Sequence, residues 1–278
     1  MKHLYDLALH DRSRIPSDLT YEIGDNDVRR VVQRFHGDGG DGTIFETRYP
    51  TSPCRCSLTS IFSGVKTGSE RVDYVSDNGS TWQQQLLRPG LTIRDAPHAY
   101  AVGTGATTDW LGAPLSPGLV FANDVPITDI RYPALAQNSS FSFRIPSITD
   151  SAGHGGNAGF TQGRLYRDGQ LVKNIDGYAT VPSGATPATW RMEIDHSHFV
   201  KAWASATAGQ VAWIFTGGGS SSSQPTPLPM IDAQIEVPVG LSGRPRSSLR
   251  TFTVRPWRLD GATTDRVAVT MAFSTDGG

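Results

Sequence analysis

The sequence predicts an all-β protein: two or three antiparallel β-sandwich modules of jelly-roll or immunoglobulin-like kind, with at most one short helix near the N-terminus. Three observations carry that expectation. Short runs such as Val72/Tyr74 and Trp190/Met192/Ile194 place apolar residues two apart, the period of a strand. With 30 Gly and 18 Pro, turn residues are frequent enough to separate many such runs. Apolar residues make up 37% and charged residues 18%, and 6 Trp, 8 Tyr and 11 Phe give bulk to bury, unlike a disordered chain.

The stretch Arg71 to Trp82 sets the pattern. Val72, Tyr74 and Ser76 fall on one strand face, Asp77-Asn78-Gly79 supplies a tight turn, and Ser80-Thr81-Trp82 begins the return strand. The pattern recurs in Val267, Val269, Met271 and Phe273, followed by Ser274-Thr275-Asp276-Gly277-Gly278. There the chain stops inside the turn. A strand without its return leaves an unpaired edge, so the chain reads as a piece of a longer β-rich protein.

In chain order, Asp25 to Phe35 is the helical candidate. Asp25 can cap it, and Val28, Val31, Val32 and Phe35 fall at helical spacing, although an extended run through Val31-Val32 is the alternative. His36-Gly-Asp-Gly-Gly-Asp-Gly42 lacks the Lys-Ser/Thr ending of a phosphate loop and reads as a flexible turn. Thr43 to Tyr49 and Ser57 to Phe62 read as strands, and Arg88 to Pro117 is rich in Gly, Pro, Ala and Thr. A boundary near Pro114 to Pro117 closes an N-terminal β-rich module, 1–116.

Residues 117–217 form a central β-sandwich. Phe141, Phe143 and Ile145 alternate with polar residues, and Asp150 to Asn157 is a turn-rich loop. Gly163 to Val172 is the strongest hairpin, with Asp168-Gly169 as its two-residue turn. Trp190, Met192 and Ile194, then Val211, Trp213 and Phe215, each share a face. Gly217 to Pro227 is a flexible loop or linker. Residues 228–278, with strands at Met230 to Val237, Leu249 to Val254 and Arg266 to Phe273, read as an incomplete C-terminal immunoglobulin-like module.

The formal net charge of −1 supplies no field to attract nucleic acid or an anionic membrane. No run approaches the about 20 apolar residues of a membrane span. Asp6, His10, Asp11 and Arg12 interrupt any leader-like apolar core after Met1-Lys2-His3. Cys54 and Cys56, one residue apart, suit neither an unstrained mutual disulfide nor a complete zinc site.

Candidates for chemistry each lack a part. No Gly-x-Ser-x-Gly elbow accompanies the plentiful Ser, His and Asp. His154 with Asp150 and Asn157 could form an oxygen/nitrogen metal site, against which stands a hydrogen-bonded turn. His196 and His198 would share a strand face, without an evident third ligand. Val75-Ser-Asp-Asn-Gly-Ser-Thr-Trp82 is similar to the Asp-box turn, Ser-x-Asp-x-Gly-x-Thr-Trp, with Val75 in place of Ser, and that turn is structural. No calcium loop is present. Trp190 and Trp213 sit in alternating strands and are expected in a core rather than on a sugar platform. The sequence therefore gives no catalytic, cofactor-binding or metal residue and implies no cofactor.

Several stretches, in order, resemble the β-rich region downstream of the catalytic domain in large secreted subtilisin-like serine peptidases of Gram-positive bacteria. They are Tyr5-Asp-Leu-Ala8 with Ile15-Pro16, Arg34-Phe-His36, Val75-Ser76 through Thr81-Trp82, Asp150-Ser-Ala-Gly-His154-Gly155, Leu165-Tyr-Arg-Asp-Gly169, Val211-Ala-Trp-Ile-Phe215 and Phe273 to Gly278. The family's catalytic motifs are an Asp followed by Ser or Thr and Gly, His-Gly-Thr-His and Gly-Thr-Ser-Met-Ala. None is here; His36-Gly37-Asp38 and His154-Gly155-Gly156 only echo the second. The resemblance implies a secreted, non-catalytic accessory region whose partners are the parent's own protease domain and protein or polysaccharide substrate. A carbohydrate-binding or adhesive β-sandwich module is the alternative. A free-standing hydrolase using His154 or His196 is the weakest reading.

Overall fold

A computed structural model describes residues 2–9, 18, 20–38, 42–51, 61–76, 79–100, 105–119, 134–144, 148–158, 160–198, 209–218, 222–244 and 251–262. The protein is all-β, and the described residues contain no helix. The first eight strands are β1 (Lys2–Asp6), β2 (Val28–Phe35), β3 (Thr43–Thr51), β4 (Ile61–Lys66), β5 (Ser69–Ser76), β6 (Thr81–Arg88), β7 (Leu91–Arg94) and β8 (Ala106–Trp110). There follow β9 (Ala134–Gln137), β10 (Ser140–Phe143), β11 (Ile148–Thr149), β12 (Gly155–Ala158), β13 (Phe160–Arg167) and β14 (Gln170–Ile175). The last are β15 (Ala179–Pro182), β16 (Ala188–His198), β17 (Gly209–Gly217), β18 (Thr226–Pro227), β19 (Ile231–Glu236) and β20 (Thr253–Arg258).

The helix expected over Asp25 to Phe35 is not formed. Residues 28–35 are β2, which pairs antiparallel with β5 on one side and parallel with β8 on the other. Two ladders satisfy its backbone, and its three valines suit an extended chain. Val31, Gln33 and Phe35 point inward and are fully buried. A polar residue at the centre of that inward row hid the period of two: Gln33 is inside because its amide oxygen accepts Trp110 Nε1–H at 2.8 Å.

Nor do Ser76 and Trp82 bound a hairpin. Ser76 ends β5 in the sheet β1-β5-β2-β8, whereas Thr81 opens β6 in the sheet β11-β12-β7-β6-β3-β4. The chain changes sheets at this corner. Trp82, 1% exposed, anchors the crossing by donating its indole N–H to the Ser76 carbonyl at 3.2 Å. Asp77 and Asn78 of the Asp-box-like turn lie outside the described residues.

The two sheets share one interior. At one end Phe35, Ile44, Val65, Leu86, Leu91, Ile93, Trp110 and Ile148 make a buried cluster; at the other Val31, Val75, Trp82 and Tyr100 make a second. β11 and β12 come after the proline-rich 114–117 stretch yet join this interior, because β12 pairs with β7. Gly156 permits that pairing: a Cβ there would stand 1.8 Å from the Thr92 carbonyl oxygen.

The sheets β14-β13-β16-β17 and β15-β10-β9-β18 enclose a separate apolar core. Phe141, Phe143, Trp190, Met192, Ile194, Trp213 and Phe215 are all buried there, on the faces the alternation assigned them. Trp190 and Trp213 are core residues. The β13–β14 hairpin turns at Asp168-Gly169, with φ of 48° and 81°, the left-handed pair of a type I′ turn. β19 and β20 form a two-stranded ribbon, with Met230 and Leu259 beside it tucked into the same core. β20 lies further along the chain than the expected Leu249 to Val254, and the expected strand Arg266 to Phe273 lies outside the described residues.

Candidate functional site

A group of buried charged side chains lies between the first two sheets. On β3 the inward row reads Ile44, Glu46, Arg48; on β5 it reads Arg71, Asp73, Val75; β6 contributes Gln84 and β1 Asp6. Arg48 Nη2 donates to Asp73 Oδ2 at 2.7 Å, Gln84 Oε1 at 2.9 Å and Glu46 Oε1 at 3.1 Å. Its other terminal nitrogen meets the Asp6 carboxylate. Arg71 donates to Glu46 Oε2 at 2.6 Å and grips both Asp73 oxygens, at 2.6 and 2.8 Å. Gln84 Nε2 and Ser63 Oγ complete the shell of Glu46 at 2.6 and 3.1 Å.

This belt separates the two apolar clusters and ties β1 and β5 of one sheet to β3, β4 and β6 of the other. Burial raises Glu46 above the ordinary carboxylate value, Arg71 holds it down, and the Asp73 charge pushes the same way as burial. Burial pulls the Arg71 guanidinium down, but its bonds to Asp73 and Glu46 prevail, and it lies above its usual value. Such a network contributes little net stability relative to an apolar core, but it is costly to break singly. Asp6, Glu46, Arg48, Arg71, Asp73 and Gln84 are each at most 10% exposed, so they offer no open face to a substrate.

A second group surrounds Trp110. Asp150, fully buried, accepts the backbone N–H groups of Leu111, Ala152 and His154 at 2.9, 3.0 and 3.0 Å, and its Oδ2 meets His154 Nδ1 at 2.8 Å. The His154 ring stacks on Trp110 with centroids 3.9 Å apart. Burial works against protonation of His154, but the Asp150 charge and hydrogen bond outweigh it and raise the imidazole above its ordinary value. On the other side of β8, His36 Nε2 lies 2.8 Å from Asp109 Oδ1 and its Nδ1 3.2 Å from the Gly240 carbonyl oxygen. Asp95, beyond β7, accepts the Gln84 N–H at 2.7 Å, and burial pushes its carboxyl up to about 6.

The structure thus brings Asp150 and His154 together and leaves Asn157 apart, exposed on β12 opposite Thr92. The Asp150 loop is a hydrogen-bonded turn. Among the described residues no three His, Cys, Asp or Glu groups are placed to hold a metal ion. His196 and His198 lie on β16, paired with Gly209 and Phe160, and their side chains lie outside the described set. Cys54, Cys56 and Asp276 lie outside it as well. A cavity of about 30 Å³ opens beside the loop, between Thr149, Gly118 and Asp232, and holds no more than a couple of waters.

Sequence reasoning missed Asp6, Glu46, Arg48, Arg71, Asp73, Asp95 and the His36–Asp109 pair. A signal was available: Glu46/Arg48 and Arg71/Asp73 are charged pairs two apart inside strands, each flanked two residues away by an apolar residue on the same face, Ile44 or Val75. No family model matches the chain, and neither a curated protein nor a solved structure matches it.

Proposed function

We propose that this chain is a non-catalytic β-rich accessory region of a secreted subtilisin-like serine peptidase, stiffening the protease domain or holding polymeric substrate beside it. The ordered stretches from Tyr5 to Gly278 motivate the family. The observation that carries the non-catalytic reading is that none of the family's three catalytic motifs stands in the sequence. His36 adds to it, since both its ring nitrogens are taken up, by Asp109 and by the Gly240 carbonyl. The cross-sheet ion belt fits a stiff spacer. To test it, the protein is incubated with casein and a fluorophosphonate probe and then added to a subtilisin-like protease domain. Neither labelling nor turnover by the protein alone is expected; covalent labelling would falsify the reading.

A carbohydrate-binding module is the second reading, and one observation favours it. Tyr5 on β1, 59% exposed, stacks on Tyr74 with rings 4.9 Å apart and 13° from parallel, and His3 lies 5.9 Å from Tyr74. This is an aromatic row on an outer sheet face, of the kind a sugar ring can stack on. Retention on insoluble polysaccharide that Tyr5→Ala abolishes would favour this reading over the first; no retention removes it.

A further inference from the structure

Residues 237–244 leave the β19–β20 ribbon and dock on the end of β2. The Val237 N–H donates to the Ala113 carbonyl at 3.1 Å, and the Gly37 N–H to the Leu241 carbonyl at 2.7 Å. The segment closes on itself through Gly240 N–H to the Arg244 carbonyl and Gly243 N–H to the Gly240 carbonyl, at 3.1 and 2.9 Å. Gly243 approaches so closely that a Cβ would stand 1.7 Å from the Gly37 carbonyl oxygen. His36, 8% exposed, bonds this segment from the end of β2 through its ring.

The partners of that ring define its protonation. A backbone carbonyl can only accept, so the nitrogen facing Gly240 carries a proton. The Asp109 carboxylate is held ionised, chiefly by the same histidine, so it too only accepts. Turning the ring over would set Cδ2 and Cε1 against the two acceptors and break both bonds. A neutral imidazole would aim a lone pair at one of them.

We propose that His36 is a pH-sensitive latch: as an imidazolium it pins segment 237–244 to the end of β2, and on losing a proton it lets go of the Gly240 carbonyl. The charges facing it are known from each element around it. β8 presents Asp109; β2 presents Arg34, whose guanidinium is 4.0 Å from Asp109 and 3.2 Å from Glu70; the Asp150 loop adds a negative charge through space. The segment itself presents the Gly240 carbonyl and carries one charged residue, Arg244. Burial opposes protonation of His36, but Asp109 and Gly240 outweigh it and raise the group above the ordinary histidine value. A histidine raised in the folded state contributes fully below its unfolded value of about 6.5, and the contribution fades as pH climbs through the higher folded value. The latch is therefore shut below about pH 6.5 and opens as pH climbs through the higher folded value.

The test is nitrogen-15 NMR of the histidine rings combined with amide hydrogen exchange, corrected for intrinsic rates, between pH 6 and pH 9. Expected are two protonated ring nitrogens on His36 at pH 6, and protection of the Gly240 and Gly243 amides that falls at least about fivefold by pH 9. The Trp190 and Met192 amides in the separate core should not follow. Asp109→Asn should move the midpoint to lower pH, and His36→Gln should abolish it. A singly protonated His36 at pH 6, or the same pH dependence in His36→Gln, overturns the proposal. The wild-type ring nitrogens decide the matter alone if a variant does not fold.

Discussion

Arg48 and Asp73 meet 2.7 Å apart between two sheets, each side chain at most 1% exposed. Among the described residues Arg71 is the other cation that touches Asp73, so Arg48→Met strands Asp6 and leaves Glu46 and Asp73 sharing a single guanidinium. An unpaired buried carboxylate is what makes such a change costly. A loss of about 3–5 kcal/mol is expected, read from the urea midpoint at constant slope. A loss below about 1 kcal/mol would show that the belt is not what ties these sheets together.

Asp95 predicts a pH effect of its own. Its folded carboxyl is pushed from 3.8 to about 6 by burial, so the native state holds that proton more tightly than the unfolded chain. Its contribution is therefore lost as pH rises from about 4 to about 6, on the order of 3 kcal/mol, and is flat above. Asp95→Asn keeps an oxygen for the Gln84 N–H and should flatten the stability–pH curve in that window. An unchanged curve assigns the pH dependence elsewhere.

The Asp150 loop has one residue on which its stability should chiefly depend. Asp150→Ala deprives three backbone donors and an imidazole of one acceptor, whereas His154→Phe removes a single bond and keeps a ring on Trp110. The first is expected to cost at least about 3 kcal/mol and the second clearly less. Thermal unfolding of the two variants checks the order, and a reversed order contradicts the hub role of Asp150.

Gly169 offers a local test. Its φ of 81° falls where a side chain is disfavoured, and a Cβ there would touch nothing. Gly169→Ala should therefore cost only the conformational penalty, about 1 kcal/mol. A larger loss by chemical denaturation would point to a steric contact instead.

Sequence legibility followed chemistry closely. Where the inward row is wholly apolar, as in Trp190/Met192/Ile194 or Val211/Trp213/Phe215, alternation identified the strand and the buried face together. Where the inward row is charged, it identified the strand but not which face the second sheet covers. Val72 and Tyr74 share the face turned away from that sheet, where Val72 is nonetheless fully buried and Tyr74 packs against Tyr5, while Arg71, Asp73 and Val75 face the opposite sheet. On β3, Phe45 is 42% exposed while Glu46 and Arg48 are buried. The local hint is only a charged pair two apart on one face; the burial also needs partners 25 and 38 positions away, Arg48 with Asp73 and Glu46 with Gln84.

By itself, then, the sequence determined the class: alternation, turn chemistry such as Asp168-Gly169, and enough aromatic bulk make sheets the one way to bury this chain. Tertiary structure alone decided which strands neighbour which, that the corner after Ser76 passes between sheets, and that His36 meets Gly240. The physical reason is range. Strand propensity and turn geometry are fixed within a few residues, whereas a buried charge or a protonated ring takes its stability from groups that only the folded chain brings into contact.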